Sequence, residues 1–328
     1  LDDLILKIAQ RTGRTISYSE PLLDATLPDG SRVNATYSRE ITTRGPTFTI
    51  RKFKENPWTP IDLIRFGTVS PEILAYLWLA IEFKRNIIII GGTSSGKTTF
   101  LNAISMFIPP NAKIVSIEDT REIKLYHKNW IPATVRYSSD KTKEIDMFVL
   151  LKEAMRQNPN YLIVGEVRGT EAFVMFQAMA SGHAALSTMH AESTEALIYR
   201  LTTPPINLSS SLVKLLDIVV SMAHYISVGE NRRIVKKVDE IIDATKYNTV
   251  FIWDPSDNSF KSSNYSFVFS KIQDEYGIPY ENLVREFDIR RRLLSILTNY
   301  NISPETFSKI ISLYYLRREY ILSYFGIS

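Results

Sequence analysis

The 328 residues predict an α/β fold built on a parallel sheet, with a smaller α+β unit ahead of it. Three observations carry that expectation. Four isoleucines at 87–90 run directly into "GGTSSGKTT", a short buried strand closing on glycine. Apolar strand-like segments stand at 87–90, 113–117, 161–164 and 184–188 with helical patterns between them, as in a parallel sheet covered on both faces. Residues 28–53, "PDGSRVNATYSREITTRGPTFTIRKF", alternate polar and apolar positions around Asp29-Gly30 and Arg44-Gly45-Pro46, which marks antiparallel strands joined by turns.

In chain order, Leu1 to Thr12 has the spacing of an amphipathic helix and leads into those strands. Residues 1–54 then form the α+β unit, with nine Lys/Arg against six Asp/Glu, a net of +3. Because the chain starts at Leu1 rather than Met, this unit reads as truncated at its start. "KENPWTPIDLIRFGTVSPE" breaks the pattern with three prolines and a glycine, so 55–70 reads as a linker and hinge. The α/β domain then occupies 71–328. Beyond residue 229, "RRIVKKVDEIIDATKYNTVFIWDPSDNSF" predicts strands with a turn at Asp257-Asn258, and the remainder predicts helices with aromatic stripes that suit a core. Within them "VREFDIRRR" is most simply a solvated helix face.

Composition limits what the domains could do. A chain of this length with 45% hydrophobic residues can bury a sizeable core. It has no cysteine, which removes disulfide frameworks and thiolate metal sites and fits a reducing cytoplasm. The formal charge of +4 is spread among acids rather than gathered, so nucleic-acid binding is not expected. No apolar run approaches the roughly 18 residues of a membrane span, so a soluble, cytoplasmic chain is expected.

The chemistry starts at 91–99. Gly91, Gly96, Lys97 and Thr98 stand at G-x-x-x-x-G-K-[ST] between a strand and a helix, which is the context a phosphate-binding loop requires. The loop Gly91, Gly92, Thr93, Ser94, Ser95, Gly96 lets backbone N–H groups point inward. The helix that begins at Lys97, Thr98 and Thr99 adds the positive end of its dipole. Lys97 can then reach the β- and γ-phosphates of ATP, and the Thr98 hydroxyl is placed to ligand Mg2+. Two later strands end in acids: "AKIVSIEDTREI" in Glu118 and Asp119, "NPNYLIVGEVRG" in Glu166. In the second, Gly165 occupies the place of the usual magnesium-supporting aspartate, which leaves Glu118 to supply the missing acid. Read alone, Glu118 is as readily a surface acid at a strand end. "SGHAALSTMHAES" carries His183 and His190 at its two ends, where a lone histidine is more often structural than functional.

Taken together, "GGTSSGKTT", "SIEDTREI", "LLKEAMRQNPNYLIVGEVRG" and "GHAALSTMHAES" resemble, in order and spacing, the Walker A, Asp box, atypical Walker B and His box of the type II/type IV secretion ATPases. "RGPTFTIRKF", "AYLWLAIEFKRN", "HKNWIPATVRYSSD" and "RLTTPPINL" are similar to the archaeal branch, which drives archaellum rotation, pilus assembly and export. The resemblance implies a RecA-like P-loop ATPase domain behind a smaller N-terminal α+β domain. It also implies Glu118 as general base, Glu166 supporting the metal through water, and His190 as a γ-phosphate or subunit-contact sensor. A homohexamer, peripheral at the cytoplasmic membrane on a polytopic platform protein, follows from the same resemblance.

Phosphoryl transfer leaves negative charge that one lysine and one metal do not fully offset. Arg44, Arg51, Arg136 and Arg168 are available, and Arg51 and Arg136 are the two expected to act. Two other classes stand beside the motor: a nucleic-acid translocase on the same core, which would need a basic or aromatic track that is not evident, and a nucleotide switch with little turnover.

Overall fold

The isoleucines at 87–90 sort by parity. Ile87 and Ile89 pack into one apolar cluster and Ile88 and Ile90 into another, because successive side chains of a strand point to opposite faces. The computed structural model describes residues 1–136, 144–227 and 230–327. It divides into two units, Leu1–Glu55 with Thr120–Glu122, and Asn56–Asp119 with Ile123–Ser328.

In the first unit, helix α1 (Asp2–Arg11) lays Ile5, Ile8 and Ala9 against a three-stranded antiparallel sheet of β1 (Leu22–Thr26), β2 (Arg32–Thr36) and β3 (Thr47–Arg51). Alternation sends Leu23, Ala25, Val33 and Ala35 inward. The Asp29 carboxylate accepts from Ser31 N at 2.9 Å and closes the turn in which Gly30 takes φ +87°.

The second unit begins earlier than the sequence suggests. The stretch expected as a linker, 55–70, carries helix α2 (Pro60–Arg65), with Ile61 and Leu63 buried in the larger core. Thr59 and Asp62 form a capping box, Asp62 Oδ2 accepting from Thr59 N at 2.8 Å, and Pro60 sits where a helix has no use for its N–H. Two of the three prolines therefore start helices: Pro71 likewise opens α3 (Pro71–Glu82).

Then come β4 (Ile87–Gly91), α4 (Lys97–Ser105), β5 (Ile114–Glu118), β6 (Trp130–Thr134), α5 (Met147–Arg156), β7 (Tyr161–Val167), α6 (Glu171–Ala180), β8 (Ala184–Met189), α7 (Thr194–Thr202) and α8 (Ser210–Val213). Strands β9 (Ile218–Ser227), β10 (Glu230–Ile241), β11 (Tyr247–Asp254) and β12 (Ser259–Ser262) follow, then α9 (Phe267–Tyr276), α10 (Tyr280–Leu297), α11 (Pro304–Leu316) and α12 (Arg318–Tyr324). The sheet has nine strands in the order β12-β11-β10-β9-β4-β8-β7-β5-β6, parallel from β9 to β6 and antiparallel from β9 to β12. Residues from α3, α4, α10 and α11 fill one face; those from α5, α6 and α7 fill the other.

The C-terminal aromatic stripes are core. Trp78 of α3 stacks on Phe107 at 5.1 Å between ring centroids, and its indole N–H donates to the Tyr315 hydroxyl at 3.0 Å. The run "VREFDIRRR" corrects the expectation of a solvated face at one residue. Arg290 is 2% exposed, its guanidinium 4.7 Å from the Trp78 ring centroid and ion-paired with Glu82 and Glu286. A guanidinium can be buried this way because flat stacking and two carboxylates replace the water it gives up.

Candidate nucleotide site

The carboxyl ends of the parallel strands gather the predicted chemistry. Between β4 and α4 the backbone folds into a cradle. Ser94 takes φ 60°, Gly96 φ 91° and Gly91 φ 152°. At Gly91 any side chain is excluded, since a Cβ would stand 2.4 Å from the Met222 carbonyl of β9 and 2.6 Å from Ser95 Oγ. Thr93 and Ser94 lie exposed on the loop, Thr98 is half-buried one residue into α4, and Thr99 is exposed. Lys97 is buried, its ammonium donating to the Gly91 and Gly92 carbonyls at 3.0 and 2.8 Å and standing 3.4 Å from His190 Nδ1. Burial lowers its pKa, a charged amine being disfavoured out of water.

Glu166 on β7 faces the same crevice. Its Oε1 lies 2.9 Å from His190 Nε2 and its Oε2 accepts from Arg168 Nη2 at 2.5 Å. Burial alone would raise this carboxyl; the hydrogen bond and charge of Arg168, with His190 and Lys97, outweigh it and hold it below the ordinary range. The His190 pKa is lowered too, first by burial and then by the Lys97 ammonium, which outweigh the opposing pull of Glu166. An imidazole thus bridges the loop lysine and the strand glutamate. Arg200 of α7 donates to the His190 carbonyl and fixes the residue's backbone.

Glu118, at the end of β5, is 2% exposed, so it is no surface acid. Its Oε1 accepts from Ile123 N at 3.0 Å. Its side chain lies against Gly165 of the neighbouring β7, where an added Cβ would stand 3.0 Å from Glu118 Cγ. The register of β7 against β8 slips between Val164 and Val167, and the Gly165 carbonyl there is taken by the Thr188 hydroxyl at 2.7 Å.

The remaining candidates fall elsewhere. His183 stands just before β8, at the end paired with the start of β4, and bonds the Ala178 carbonyl; the strand register puts it opposite the phosphate loop. Arg44 is exposed between β2 and β3. Arg51 ends β3, exposed, with Nη2 2.9 Å from Glu122 Oε1 in its own unit. Arg136 is exposed just past β6, its backbone bridging Ile145, and the rest of its expected loop, 137–143, lies outside the described residues. The arginines found near the loop are Arg168, available from the sequence but not one of the two expected to act, and Arg233 on β10, which the sequence did not single out; the Arg233 Nε donates to the Ser94 carbonyl at 3.3 Å while its stem lies against Gly96. "NRRIVKK" was a visible signal for Arg233, but nothing in it tells which side chain turns to the loop.

The model for "Type II/IV secretion system protein" matches residues 5–224, about two thirds of the chain. The chain belongs to that family. This secretion-system protein is 45% identical over 262 residues to the protein MJ1287 of Methanocaldococcus jannaschii, 78% of this chain and 97% of that one. It is also 32% identical over 271 residues to the type IV secretion system protein PtlH of Bordetella pertussis, 72% of this chain and 79% of PtlH. Two further M. jannaschii relatives are longer, the chain spanning 55% and 26% of their lengths. Among solved structures, the Legionella pneumophila ATPase DotB superposes with a TM-score of 0.53 over 89% of this chain and 75% of that one, at 19% identity, which speaks to the fold. Among the described residues no helix is long and apolar enough to cross a membrane.

Proposed function

We propose that this family member hydrolyses ATP as the motor subunit of a pilus, archaellum or secretion machine. The observation that supports it best is the meeting of Lys97, Glu166 and His190 beside a phosphate-loop cradle in which Gly91 has no room for a side chain, with Glu118 ending the nearby strand β5. The cradle's inward N–H groups and the α4 dipole suit the triphosphate, and Lys97 neutralises its β- and γ-phosphates. The same residues fit a magnesium ion held mostly by phosphate and water: the Thr98 hydroxyl is its protein ligand, Glu166 orients its water shell, and among the described residues no cluster of three His, Asp or Glu competes for it. When bound, that ion would supply positive charge that offsets the charge developing on the phosphates. Glu118, buried at the end of β5, accepts the proton of the attacking water. His190, between Lys97 and Glu166, reads whether the γ-phosphate is present, and Arg168 holds Glu166 ionised.

Six copies in a ring on the cytoplasmic face of a polytopic membrane platform complete the proposal, with Arg51 and Arg136 offsetting charge at the nucleotide and domain closure converting hydrolysis to movement. The test is magnesium-dependent ATP turnover by the chain, alone and with lipid vesicles, platform protein or DNA. Turnover raised by vesicles or platform and indifferent to DNA is the expected result. No turnover under any condition, or stimulation by DNA alone, contradicts it.

A further inference from the structure

The irregularity at Gly165 has a steric cause, and it makes this residue part of the hydrolytic apparatus. The geometry points to Gly165 as a positioning residue: its missing side chain leaves room on β7 for the neighbouring Glu118 side chain of β5, so a side chain at 165 would push Glu118 out of its seat. This inference rests on Glu118 being the general base and explains how that base is held.

Three observations converge on it. A Cβ built on Gly165 would stand 3.0 Å from Glu118 Cγ, tighter than ordinary contact, and would rest in van der Waals contact with its Cβ at 3.5 Å and Cα at 3.6 Å, so the Glu118 side chain is the part that must shift. β5 and β7 are direct parallel neighbours, paired from Ile114 with Tyr161 to Ile117 with Val164, so Glu118 leaves its strand beside Gly165. Third, β7 carries an extra residue against β8 between Val164 and Val167, and the Thr188 hydroxyl takes the Gly165 carbonyl at 2.7 Å in that interval. A bulge re-aims the side chain next to it. Here it turns Glu166 toward Lys97 and His190 while Gly165 yields its volume to Glu118, so two carboxylates from adjacent strands are seated at one crevice. An aspartate at 165 would not add a metal-supporting acid; it would displace the base.

The experiment is a double-mutant cycle with two readouts. Replacing glycine by alanine in an unstrained strand ordinarily stabilises, through the unfolded chain. Gly165 has an ordinary φ, so Gly165→Ala should lower the thermal midpoint only because of Glu118. In a Glu118→Ala background the same change should leave the midpoint unchanged or raise it. In the otherwise native chain Gly165→Ala should lower kcat toward the loss of about 100-fold expected for a displaced base, with KM for ATP unchanged, and Gly165→Asp should do no better. Equal loss of midpoint in both backgrounds, or a native kcat in Gly165→Ala or Gly165→Asp, overturns the inference. The underlying reading is separable: full turnover by Glu118→Gln would remove Glu118 as the base, while coupled midpoints would still leave Gly165 as its seat.

Discussion

His190 is where the residue-scale account is most exposed to measurement. Its neighbours are the Lys97 ammonium, the Glu166 carboxylate, Arg168 and Arg200, and burial together with the cations holds its pKa below the ordinary 6.5 against the pull of Glu166. The sign follows: at neutral pH the ring is neutral, and protonation is met only as pH falls below that value. A titration followed by NMR on the imidazole should give a midpoint under 6.5 and place any acid limb of turnover that depends on His190 there as well. A midpoint above 6.5 would mean that Glu166 dominates the pair and that the ring is charged when it faces the γ-phosphate. The sequence announced the residue types of this site well, since glycine spacing, a lysine and strand-end acids are local signals. It did not announce Arg168 as the partner of Glu166, nor Thr188 under the Gly165 carbonyl, because both depend on a one-residue slip between β7 and β8 that no pattern of polarity records.

At the scale of elements, the same contrast separates strands from their coverings. The four β-branched or small apolar runs became β4, β5 and β8 within one residue of their expected bounds and β7 with its expected start and an end three residues later, because each is buried on both faces and its composition has no other use. The proline-rich stretch 55–70 was read by its breakers, yet Thr59 and Asp62 stood at the spacing of a capping box all along and make α2 a helix. "VREFDIRRR" was read by its charges, and charge counts cannot say that one turn of α10 presents Arg290 to Trp78 rather than to water. That contact sets a prediction. Arg290→Ala would remove the ion-pair partner of Glu82, leave Glu286 with Arg318 and Tyr314 alone, and open space beside Trp78, and removing one member of a buried pair costs about 3 kcal/mol or more. Denaturant unfolding should show that loss as a lower midpoint; an unchanged midpoint would place α10 outside the cooperative core.

For the whole molecule, the nine-stranded sheet brings the ends of β4, β5, β7 and β8 to one side, and the chain belongs to the type II/IV secretion system family. Assembly is the first consequence. If the nucleotide is completed by charge from a neighbouring copy, ATP should favour a six-membered ring, and light scattering with and without nucleotide reads that directly; full turnover by a species that stays monomeric at every concentration would remove the ring from the account. The division of labour between the two glutamates is the second consequence, and the central one. A paired titration of ATPase rate against magnesium for Glu118→Gln and Glu166→Gln tests it most directly. The account predicts that Glu118→Gln binds ATP and magnesium as before but turns over roughly 100- to 10,000-fold more slowly. It predicts that Glu166→Gln shifts the magnesium concentration at half-maximal rate upward. A shifted magnesium dependence in Glu118→Gln, with only a lowered maximal rate in Glu166→Gln, would reverse the roles and put the general base on β7.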